Sequence, residues 1–351
     1  MHVVVTGGGT GGHIFPALEI AKEFQNQNIK VTFVGNKNSL EQTMAKSHNL
    51  DFFGLSTLSF VGKSLFGKFK ALFYLKIAVI RSIYFILKND IKIIVGVGGY
   101  VSFPMIIAGF LCRKKCFICE QNVSPGLANK VLSKLVSRIF ISFMASKKYF
   151  TNKNTVFVGN PVRESFFGIK KEFLNQDISI LVTGGSLGAK IFNEEIPKAI
   201  NIVKKDMPLL SISITHQTGK SNNITKSLYD KYNIKSEVVE FISNMSAEFA
   251  QHDLIISRAG ATVCAEICAA GMPAILVPYK YANAHQKDNA KSLVEENAAL
   301  MLEEGPEFHN SLALMIINLY KEPAQLKEIS LNAKKLAMPK AALAIVTNIL
   351  S

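Results

Sequence analysis

Short apolar runs alternate with longer segments of mixed polarity along the first half of the chain. Residues 2–6 centre on three valines, a pattern typical of a strand buried on both faces of a sheet. A glycine-rich loop follows, and Pro16 then fits the first turn of a helix that we predict to end near Asn26. Further strands are predicted at residues 30–34, 91–95, 116–119 and 138–142. Strands separated by helix-length segments indicate βαβ units and a parallel sheet.

The same pattern starts again in the second half. An apolar strand at residues 178–182 is followed by a second glycine-rich loop, residues 183–188, and by a helix from about Ile191. Residues 160–163 lie between the two series and contain an Asn-Pro pair typical of a turn, so we interpret them as a linker. Later strands are predicted at residues 210–215, 238–241, 254–257 and 274–277. The pattern predicts two doubly wound α/β domains, in which ligands bind beyond the carboxyl ends of the strands.

One segment, residues 61–81, mixes basic residues with aromatic ones. Phe66, Phe69, Phe73 and Ile77 recur at helical spacing. The longest apolar stretch, residues 71–87, carries two charges and is shorter than the roughly 20 apolar residues that a spanning helix needs. The composition is typical of a helix that lies on a membrane surface, although nucleic-acid binding and a core-facing stripe are alternatives.

Charge is distributed unequally between the two halves. The 351 residues include 40 basic and 26 acidic side chains, which gives a formal net charge of +14. Residues 1–163 hold 21 basic and 6 acidic side chains, a net of +15, and the remaining residues are close to neutral. This excess indicates an anionic partner such as nucleic acid, a membrane surface or a phosphorylated substrate, with a solvated basic surface as the alternative.

Composition and cysteine usage exclude several classes of protein. Hydrophobic residues make up 48% of the chain and charged residues 19%, which excludes a disordered or fibrous protein. Five cysteines in a chain of this length argue for a reducing compartment. Cys116 and Cys119 lie in a predicted strand, where residues three apart point to opposite faces, so we reject a zinc site that includes them. The apolar start, residues 3–5, is too short for a signal peptide.

Both glycine-rich loops have the composition of phosphate-binding loops. Residues 7–12 contain G-x-G-x-x-G, but the second predicted strand ends at residues 34–37 without the acidic residue that a dinucleotide site requires. His13 stands where a P-loop NTPase has lysine. What remains is a backbone that a ligand can approach closely, next to the N-terminus of a helix. The second loop, residues 184–186, adds a serine hydroxyl, so a diphosphate is predicted near either loop, with tight structural turns as the alternative.

Two residues are candidates for specific chemistry. His13 closes the first loop, where its ordinary pKa near 6.5 suits a general base, and a helix-capping role is an equal alternative. Glu266 lies in a helix of small residues within residues 258–273. Its carboxylate could accept both hydroxyls of a ribose from inside a cleft, but the residues alone slightly favour a solvated face.

These motifs together resemble one family over nearly the whole chain, the MurG family of N-acetylglucosaminyltransferases in peptidoglycan synthesis. The matching stretches are residues 8–13 with Pro16, 96–102, 120–122 with Asn129 and Lys130, 159–163, 184–186, 258–273, and 285–286 with Asn289. The resemblance implies a GT-B fold of the α/β class, with two Rossmann-like doubly wound domains facing a central cleft. It implies domains at residues 1–163 and 164–338, and a terminal helix at residues 339–351 that packs back on the first domain.

The resemblance also implies the reaction, transfer of N-acetylglucosamine from UDP-N-acetylglucosamine to the C4 hydroxyl of the muramoyl sugar of lipid I, which forms lipid II. The second domain would hold the donor, and the first would receive lipid I and associate with the cytoplasmic face of the bacterial inner membrane. The transfer would be inverting and would need no metal and no cofactor, and no Asp-x-Asp motif occurs in the chain. No nucleic-acid partner is expected.

Site residues follow by position from the resemblance. His13 would be the base or an electrostatic partner. Ser186 would face the diphosphate, Ile242 would meet uracil through its backbone, and Glu266 would bind the ribose hydroxyls. The other donor contacts would be Ala261, Thr262, Val263 and Gln286, together with Thr10, Gly11, Gly12, Asn122 and Arg163. Membrane association would use Lys63, Phe66, Lys68, Phe69, Lys70, Phe73, Ile77 and Arg81.

The chain departs from the family pattern in two places. Leu187 stands where the family often has glutamine, and residues 261–266 read Ala-Thr-Val-Cys-Ala-Glu where the family often has Ala-Leu-Thr-Val-Ser-Glu. Two alternatives stay open, a GT-B enzyme that uses another nucleotide sugar and a basic nucleotide or nucleic-acid binding module without catalysis.

Overall fold

The computed structural model describes residues 1–58, 64–150, 154–171, 177–220, 222–280 and 285–351. These residues divide into two units. The N-terminal unit comprises Met1–Val162 together with Lys340–Ser351, and the C-terminal unit comprises Arg163–Pro339. Each unit contains one parallel sheet flanked by helices, as the alternation of apolar runs and helix-length segments predicts.

Seven parallel strands form the sheet of the N-terminal unit. Its elements are β1 (His2–Gly7), α1 (Gly11–Asn26), β2 (Lys30–Asn36), α2 (Leu40–Ser47), β3 (Asp51–Leu55), α3 (Leu65–Lys88), β4 (Ile93–Gly98), α4 (Ser102–Leu111), β5 (Lys115–Glu120), α5 (Leu127–Leu132), β6 (Arg138–Ile141) and β7 (Thr155–Phe157). The strand order is β3-β2-β1-β4-β5-β6-β7. The order reverses between β1 and β4, so the loops after β1, β4 and β5 meet at the edge where ligands bind in such sheets.

Successive side chains of the buried strands enter two different hydrophobic cores. Val3 and Val5 pack on one face of the sheet, and Val4 packs on the other. Cys119 lies in the first of these cores and Cys116 in the second. The prediction that the two thiols point to opposite faces is therefore confirmed.

Several sequence-based boundaries in the N-terminal unit were wrong. The helix α1 begins at Gly11, so Pro16 lies in the second turn, where it removes the hydrogen bond that would reach the Gly12 carbonyl. The strand β4 begins at Ile93 rather than at residue 91. The strands β3 and β7 were missed because both lie at sheet edges, where the apolar pattern is weaker.

Six parallel strands form the sheet of the C-terminal unit. Its elements are β8 (Asp177–Thr183), α6 (Lys190–Asp206), β9 (Ser211–Gln217), α7 (Asn222–Lys231), β10 (Lys235–Val239), α8 (Met245–Gln251), β11 (Leu254–Ser257), α9 (Ala261–Ala270), β12 (Ala274–Leu276), α10 (His285–Val294), β13 (Leu300–Met301), α11 (Phe308–Lys321) and α12 (Pro323–Lys335). The strand order is β10-β9-β8-β11-β12-β13, with the reversal between β8 and β11. The edge strand β10 lies earlier than the predicted residues 238–241, and the two-residue edge strand β13 was not predicted.

The last helix, α13 (Ala341–Leu350), belongs to the N-terminal unit. Ile345, Val346 and Ile349 enter the same core as Val3 and Val5. The guanidinium of Arg138 donates to the backbone carbonyl of Asn348 at 2.8 Å. The end of the chain is therefore fixed to this unit by apolar packing and by a hydrogen bond to the sheet.

The helix α3 has two apolar faces. Ala71, Ala78, Ser82 and Ile86 are buried. On the other face apolar side chains are exposed at helical spacing along the described part of the helix: Phe69, Leu72, Phe73, Ile77, Ile80, Tyr84 and Leu87. Among the residues that the structure describes, no helix combines the length and apolar character needed to cross a bilayer.

Candidate functional site

The first glycine-rich loop joins β1 to α1 in the N-terminal unit. Thr10 is exposed, and Gly11 and Gly12 form the start of α1 without a side-chain cap. The buried carboxylate of Glu41 accepts a hydrogen bond from the Gly9 N–H at 2.8 Å. A Cβ at Gly8 would overlap that carboxylate oxygen, so a larger residue there would displace the Glu41 side chain. Because an acidic side chain already binds Gly9, the loop is less suited to a diphosphate than its glycines alone predict.

His13 lies at the start of α1 with its ring against the loops after β4 and β5. Its Nδ1 is 3.3 Å from the Oε1 of Gln121, a buried side chain. Burial lowers the pKa of His13 from its ordinary value, while hydrogen bonds to Gln121 and to the Val97 backbone act in the opposite direction. The imidazole is therefore neutral at neutral pH, which is the form that accepts a proton.

A buried carboxylate holds the loop that carries Gln121 and Asn122. Glu120, at the end of β5, accepts hydrogen bonds from the Asn122 N–H at 2.9 Å and from the Asn129 Nδ2 at 2.8 Å. It also accepts from the Gly126 N–H at 3.2 Å. Burial raises the pKa of Glu120, and these hydrogen bonds oppose that shift. Asn122 is therefore positioned by a fixed loop in the same cluster as His13.

The second glycine-rich loop joins β8 to α6 in the C-terminal unit. Ser186 and Leu187 are exposed at its tip. The loop is closed by a hydrogen bond from the Gly188 N–H to the Gly185 carbonyl at 2.9 Å. The first residue of α6 follows Ala189, which provides no side-chain cap. The N–H groups in the first turn of this 17-residue helix are therefore available to an anion, together with the Ser186 hydroxyl.

The segment predicted to meet uracil follows β10. Ile242 is buried, and its backbone N–H donates to the Oε1 of Gln217 at 2.9 Å. Its neighbour Phe241 is exposed. Since the N–H is already bonded within the protein, the backbone group that Ile242 can offer a base is its carbonyl oxygen.

Glu266 lies on α9 and faces the interior of the C-terminal unit, so the preference for a solvated face was wrong. The side chain is 10% exposed and accepts a hydrogen bond from the Arg163 guanidinium at 3.2 Å. Burial raises the pKa of Glu266 to about 7 although Arg163 acts in the opposite direction. The Arg163 guanidinium also lies over the Phe166 ring, with its carbon 5.0 Å from the ring centre. Two residues predicted to bind the donor therefore bind each other.

The residues around the N-terminus of α9 form a connected group. Ala261 is buried, and Thr262 and Val263 are partly exposed. The Oε1 of Gln286 accepts from the Tyr279 N–H at 2.9 Å. Asn289 donates to the Ala259 carbonyl at 3.1 Å and so fixes α10 to the residues that precede α9.

Arg258 was not predicted to have a functional role, yet it makes several contacts within this group. The carbon of its guanidinium lies over the rings of both Phe192 and Tyr279, 4.7 Å and 5.1 Å from their centres. It is also paired with the Glu304 carboxylate. No local pattern indicates these contacts, because they join residues far apart in the sequence.

Within the described ranges, no group of three or more His, Cys, Asp and Glu side chains is arranged to hold a metal ion. The thiols of Cys116, Cys119, Cys264 and Cys268 are buried, and burial raises their pKa. They are therefore poor nucleophiles and contribute to packing.

The chain that carries these two loop clusters was compared with known proteins. Residues 3–141 match the model of the glycosyltransferase family 28 N-terminal domain, and residues 179–345 match that of its C-terminal domain. The chain is 35% identical to a Myxococcus xanthus protein named UDP-N-acetylglucosamine–N-acetylmuramyl-(pentapeptide) pyrophosphoryl-undecaprenol N-acetylglucosamine transferase, over 97% of this chain and 90% of that protein. It is 36% identical to the protein of the same name from Syntrophus aciditrophicus, over 99% of this chain and 97% of that protein. The chain belongs to the MurG family.

A crystal structure of Acinetobacter baumannii MurG superposes with a TM-score of 0.80 and 28% identity, covering 99% of this chain and 98% of that one. The GT-B fold predicted from the resemblance is therefore confirmed, and the chain is a glycosyltransferase of the MurG family. A structure of a UDP-N-acetylglucosamine 2-epimerase from Listeria monocytogenes shares the fold at 12% identity, with a TM-score of 0.75.

The residues predicted to associate with a membrane lie on α3 or just before it. Phe69, Phe73 and Ile77 are exposed at 72%, 63% and 39%, and Lys70 is exposed beside them. Arg81 is only partly exposed, because its guanidinium lies over the Phe53 ring. The exposed stripe also includes Ile80, Tyr84 and Leu87, which were not predicted to be part of it. Lys63 and the side chains of Phe66 and Lys68 lie outside the part of the chain that the structure describes.

Proposed function

We propose that the chain transfers N-acetylglucosamine from UDP-N-acetylglucosamine to the C4 hydroxyl of the muramoyl sugar of lipid I, forming lipid II. The observation that carries the proposal is the 35–36% identity, over nearly the whole chain, to proteins named for this transfer. The loop clusters described above lie at the carboxyl ends of both sheets and supply groups suited to the two substrates.

The donor is assigned to the C-terminal unit. The uncapped N-terminus of α6 and the Ser186 hydroxyl would hold the diphosphate. The Ile242 carbonyl would accept from the uracil N3–H, and Glu266 would accept from the ribose hydroxyls. The partly exposed Thr262, Val263 and Gln286 would line the sugar. Ile242, Glu266 and Gln286 are already held by hydrogen bonds within the protein, so these groups need little ordering on binding.

The acceptor and the base are assigned to the N-terminal unit. The neutral imidazole of His13 would take the proton of the C4 hydroxyl as that oxygen attacks the anomeric carbon. The bond between that carbon and the diphosphate oxygen breaks, and UDP leaves. Loop N–H groups and the α6 dipole would stabilise the charge of the leaving group. Attack from the face opposite the leaving group converts the α-linked donor to a β-linked product.

A competition among donor sugars tests the substrate assignment. We expect transfer to a lipid I analogue from UDP-N-acetylglucosamine, and much slower transfer from UDP-glucose and UDP-galactose at equal concentration. The rates are measured by UDP release with and without the acceptor. Faster transfer from either of the other two sugars would support the alternative, a GT-B enzyme with a different nucleotide sugar.

A peripheral position on the cytoplasmic face of the bacterial inner membrane is the second part of the proposal. The exposed stripe on α3 combines Phe69, Phe73, Ile80 and Leu87 with neighbouring lysines. Apolar side chains at the headgroup boundary and cations facing anionic lipid together give reversible binding. The net charge of +15 in residues 1–163 has the sign that this requires.

Replacing Ile80 and Leu87 together by aspartate is expected to weaken binding to anionic vesicles at least about tenfold, since burying one such side chain contributes about 1.5–3 kcal/mol. Vesicle sedimentation measures the change. UDP affinity should stay the same, because both residues lie on the exposed face of α3. The matched control is Leu209→Asp, which adds a charge at a site exposed at 97% in the C-terminal unit.

Filter binding to RNA separates the membrane assignment from the nucleic-acid alternative. Tight and salt-sensitive RNA binding, with no vesicle binding by the unmodified chain, would favour a nucleic-acid binding module. Equal vesicle binding by the double variant and the control would contradict the role of the α3 stripe.

A further inference from the structure

Gln217 bonds to both of the elements that the proposed function assigns to the donor nucleotide. It is the last residue of β9 and is 2% exposed. Its Oε1 accepts from the Ile242 N–H at 2.9 Å, and its Nε2 donates to the Gly185 carbonyl at 2.8 Å. One partner is a donor and the other an acceptor, so together they fix the orientation of the amide.

The backbone around Gln217 adds further connections between the same elements. The Thr218 N–H donates to the Val239 carbonyl at 3.0 Å, and Asn193 of α6 donates to the Thr218 carbonyl at 3.1 Å. A Cβ at Gly188 would overlap the Thr218 carbonyl, and a Cβ at Gly219 would overlap the Leu187 carbonyl. Both glycines have positive φ angles, 73° and 68°. The glycine-rich loop after β8 and the turn after β9 are therefore interlocked at backbone contact.

We propose that Gln217 is a positioning residue that sets the distance between the diphosphate-binding loop and the uracil-binding segment. The inference rests on the proposed function, which assigns Ser186 and the N-terminus of α6 to the diphosphate and Ile242 to the base. In any one bound conformation, a UDP molecule has a single span from base to diphosphate. It gains from both contacts at once only when the two elements stand at the matching separation.

The side chain has the geometry that this role requires. Its two amide atoms reach one element each, and no rotation of the amide satisfies both partners except the observed one. Burial makes either bond costly to lose, because the released N–H or carbonyl would lack a partner. The amide therefore couples the two elements, whereas two separate side chains would fix each of them independently.

Gln217→Glu tests the proposal because it keeps the shape of the side chain and removes one of the two bonds. Because burial raises the pKa of the new carboxyl, binding is measured at a pH high enough to ionise it. The carboxylate then still accepts from the Ile242 N–H, but it cannot donate to the Gly185 carbonyl and repels it. We expect UDP affinity to fall about tenfold, the size of effect that follows from losing one buried hydrogen bond. Uridine, which reaches the base segment but not the loop, should bind within about twofold of the unmodified chain, since its segment remains held.

The measurements are isothermal titration for UDP and ligand-observed NMR for uridine. In the transfer reaction KM for UDP-N-acetylglucosamine should rise in the same ratio as the UDP dissociation constant, with kcat unchanged. Asp253→Asn is the matched control, since Asp253 precedes β11 and bonds Ser179 in the first half of β8, away from the loops at the carboxyl ends of the strands. It should leave both affinities unchanged even if it lowers the melting temperature.

A second variant covers the case in which Gln217→Glu does not fold. Gln217→Met keeps the volume and makes neither bond, so UDP and uridine should both bind more weakly. Equal losses for UDP and uridine in Gln217→Glu, or no loss in either variant, would overturn the positioning role. Failure of the unmodified chain to bind UDP would count against the proposed function instead.

Discussion

Replacing His13 by alanine is expected to lower the rate of sugar transfer about 10²- to 10⁴-fold, the usual contribution of a general base, and to leave UDP affinity unchanged. The neutral imidazole is the proton acceptor in the proposed step, and the residues assigned to the uracil, the ribose and the diphosphate of UDP lie in the C-terminal unit. Steady-state kinetics with a lipid I analogue, together with titration of UDP, measure both quantities. His48→Ala, at an exposed histidine on the same unit, is the control.

The pH profile gives a second readout of the same assignment. A base works only when it is neutral, so the rate should fall on the acidic side of its pKa. Burial lowers the pKa of His13 below the ordinary value of 6.5, so the fall should come below pH 6.5. Wild-type turnover in His13→Ala would rule out the base role.

Glu266→Gln is expected to weaken UDP binding about tenfold at pH 8, because ribose hydroxyls donate more strongly to a carboxylate than to an amide. Burial raises the pKa of Glu266 to about 7, so at pH 7 half of the free protein carries a protonated Glu266. Donation from the ribose hydroxyls favours the ionised form, and binding therefore releases a proton below pH 7. UDP affinity of the unmodified chain should fall as the pH drops through 7.

Titration calorimetry at pH 6 and pH 8 measures this difference. The terminal phosphate of UDP titrates over the same range in both experiments, so the readout is the ratio of the two affinities, which should approach one at pH 6. Glu164→Gln is the matched control, because Glu164 is exposed and adjacent in sequence to Arg163. Parallel pH curves for the unmodified chain and Glu266→Gln would exclude a contact between Glu266 and the ribose.

Much of the fold follows from local patterns. The central strands β1, β8 and β11 are continuous apolar runs because both of their faces are buried, and such runs are visible without any partner. The missed strands β3, β7 and β13 all lie at sheet edges, where burial on one side leaves a shorter and more mixed pattern. The start of α1 was predicted wrongly for a different reason. The helix begins at Gly11, well before Pro16, and glycines give no hydrophobic periodicity that would reveal its first turn.

Some residues of the candidate site could be predicted from local sequence patterns, and others could not. His13 and Ser186 belong to glycine-rich motifs, so the sequence indicates them. Glu41, Gln121 and Gln217 act through hydrogen bonds to loops far along the chain, and only the strand order brings those partners together. The predicted role of Glu266 came from the family resemblance, because a single acidic residue among alanines does not reveal that it faces the interior.

The α3 stripe shows how two apolar faces obscure each other. Phe69, Phe73 and Ile77 were predicted to associate with a membrane because they recur at helical spacing in a segment that mixes basic and aromatic residues. Ile80, Tyr84 and Leu87 continue the stripe where charges are fewer, so the sequence does not distinguish them from core residues such as Ile86.

Analysis of the reaction product decides whether the chain transfers N-acetylglucosamine to the muramoyl sugar of lipid I. The purified chain is incubated with UDP-N-acetylglucosamine and a lipid I analogue, and the acceptor product is examined by mass spectrometry and by proton NMR at the new anomeric centre. We expect one N-acetylglucosamine joined through a β linkage to the C4 oxygen of the muramoyl sugar, with one UDP released for each product. Release of UDP without sugar on the acceptor, or an α-linked product, would contradict it.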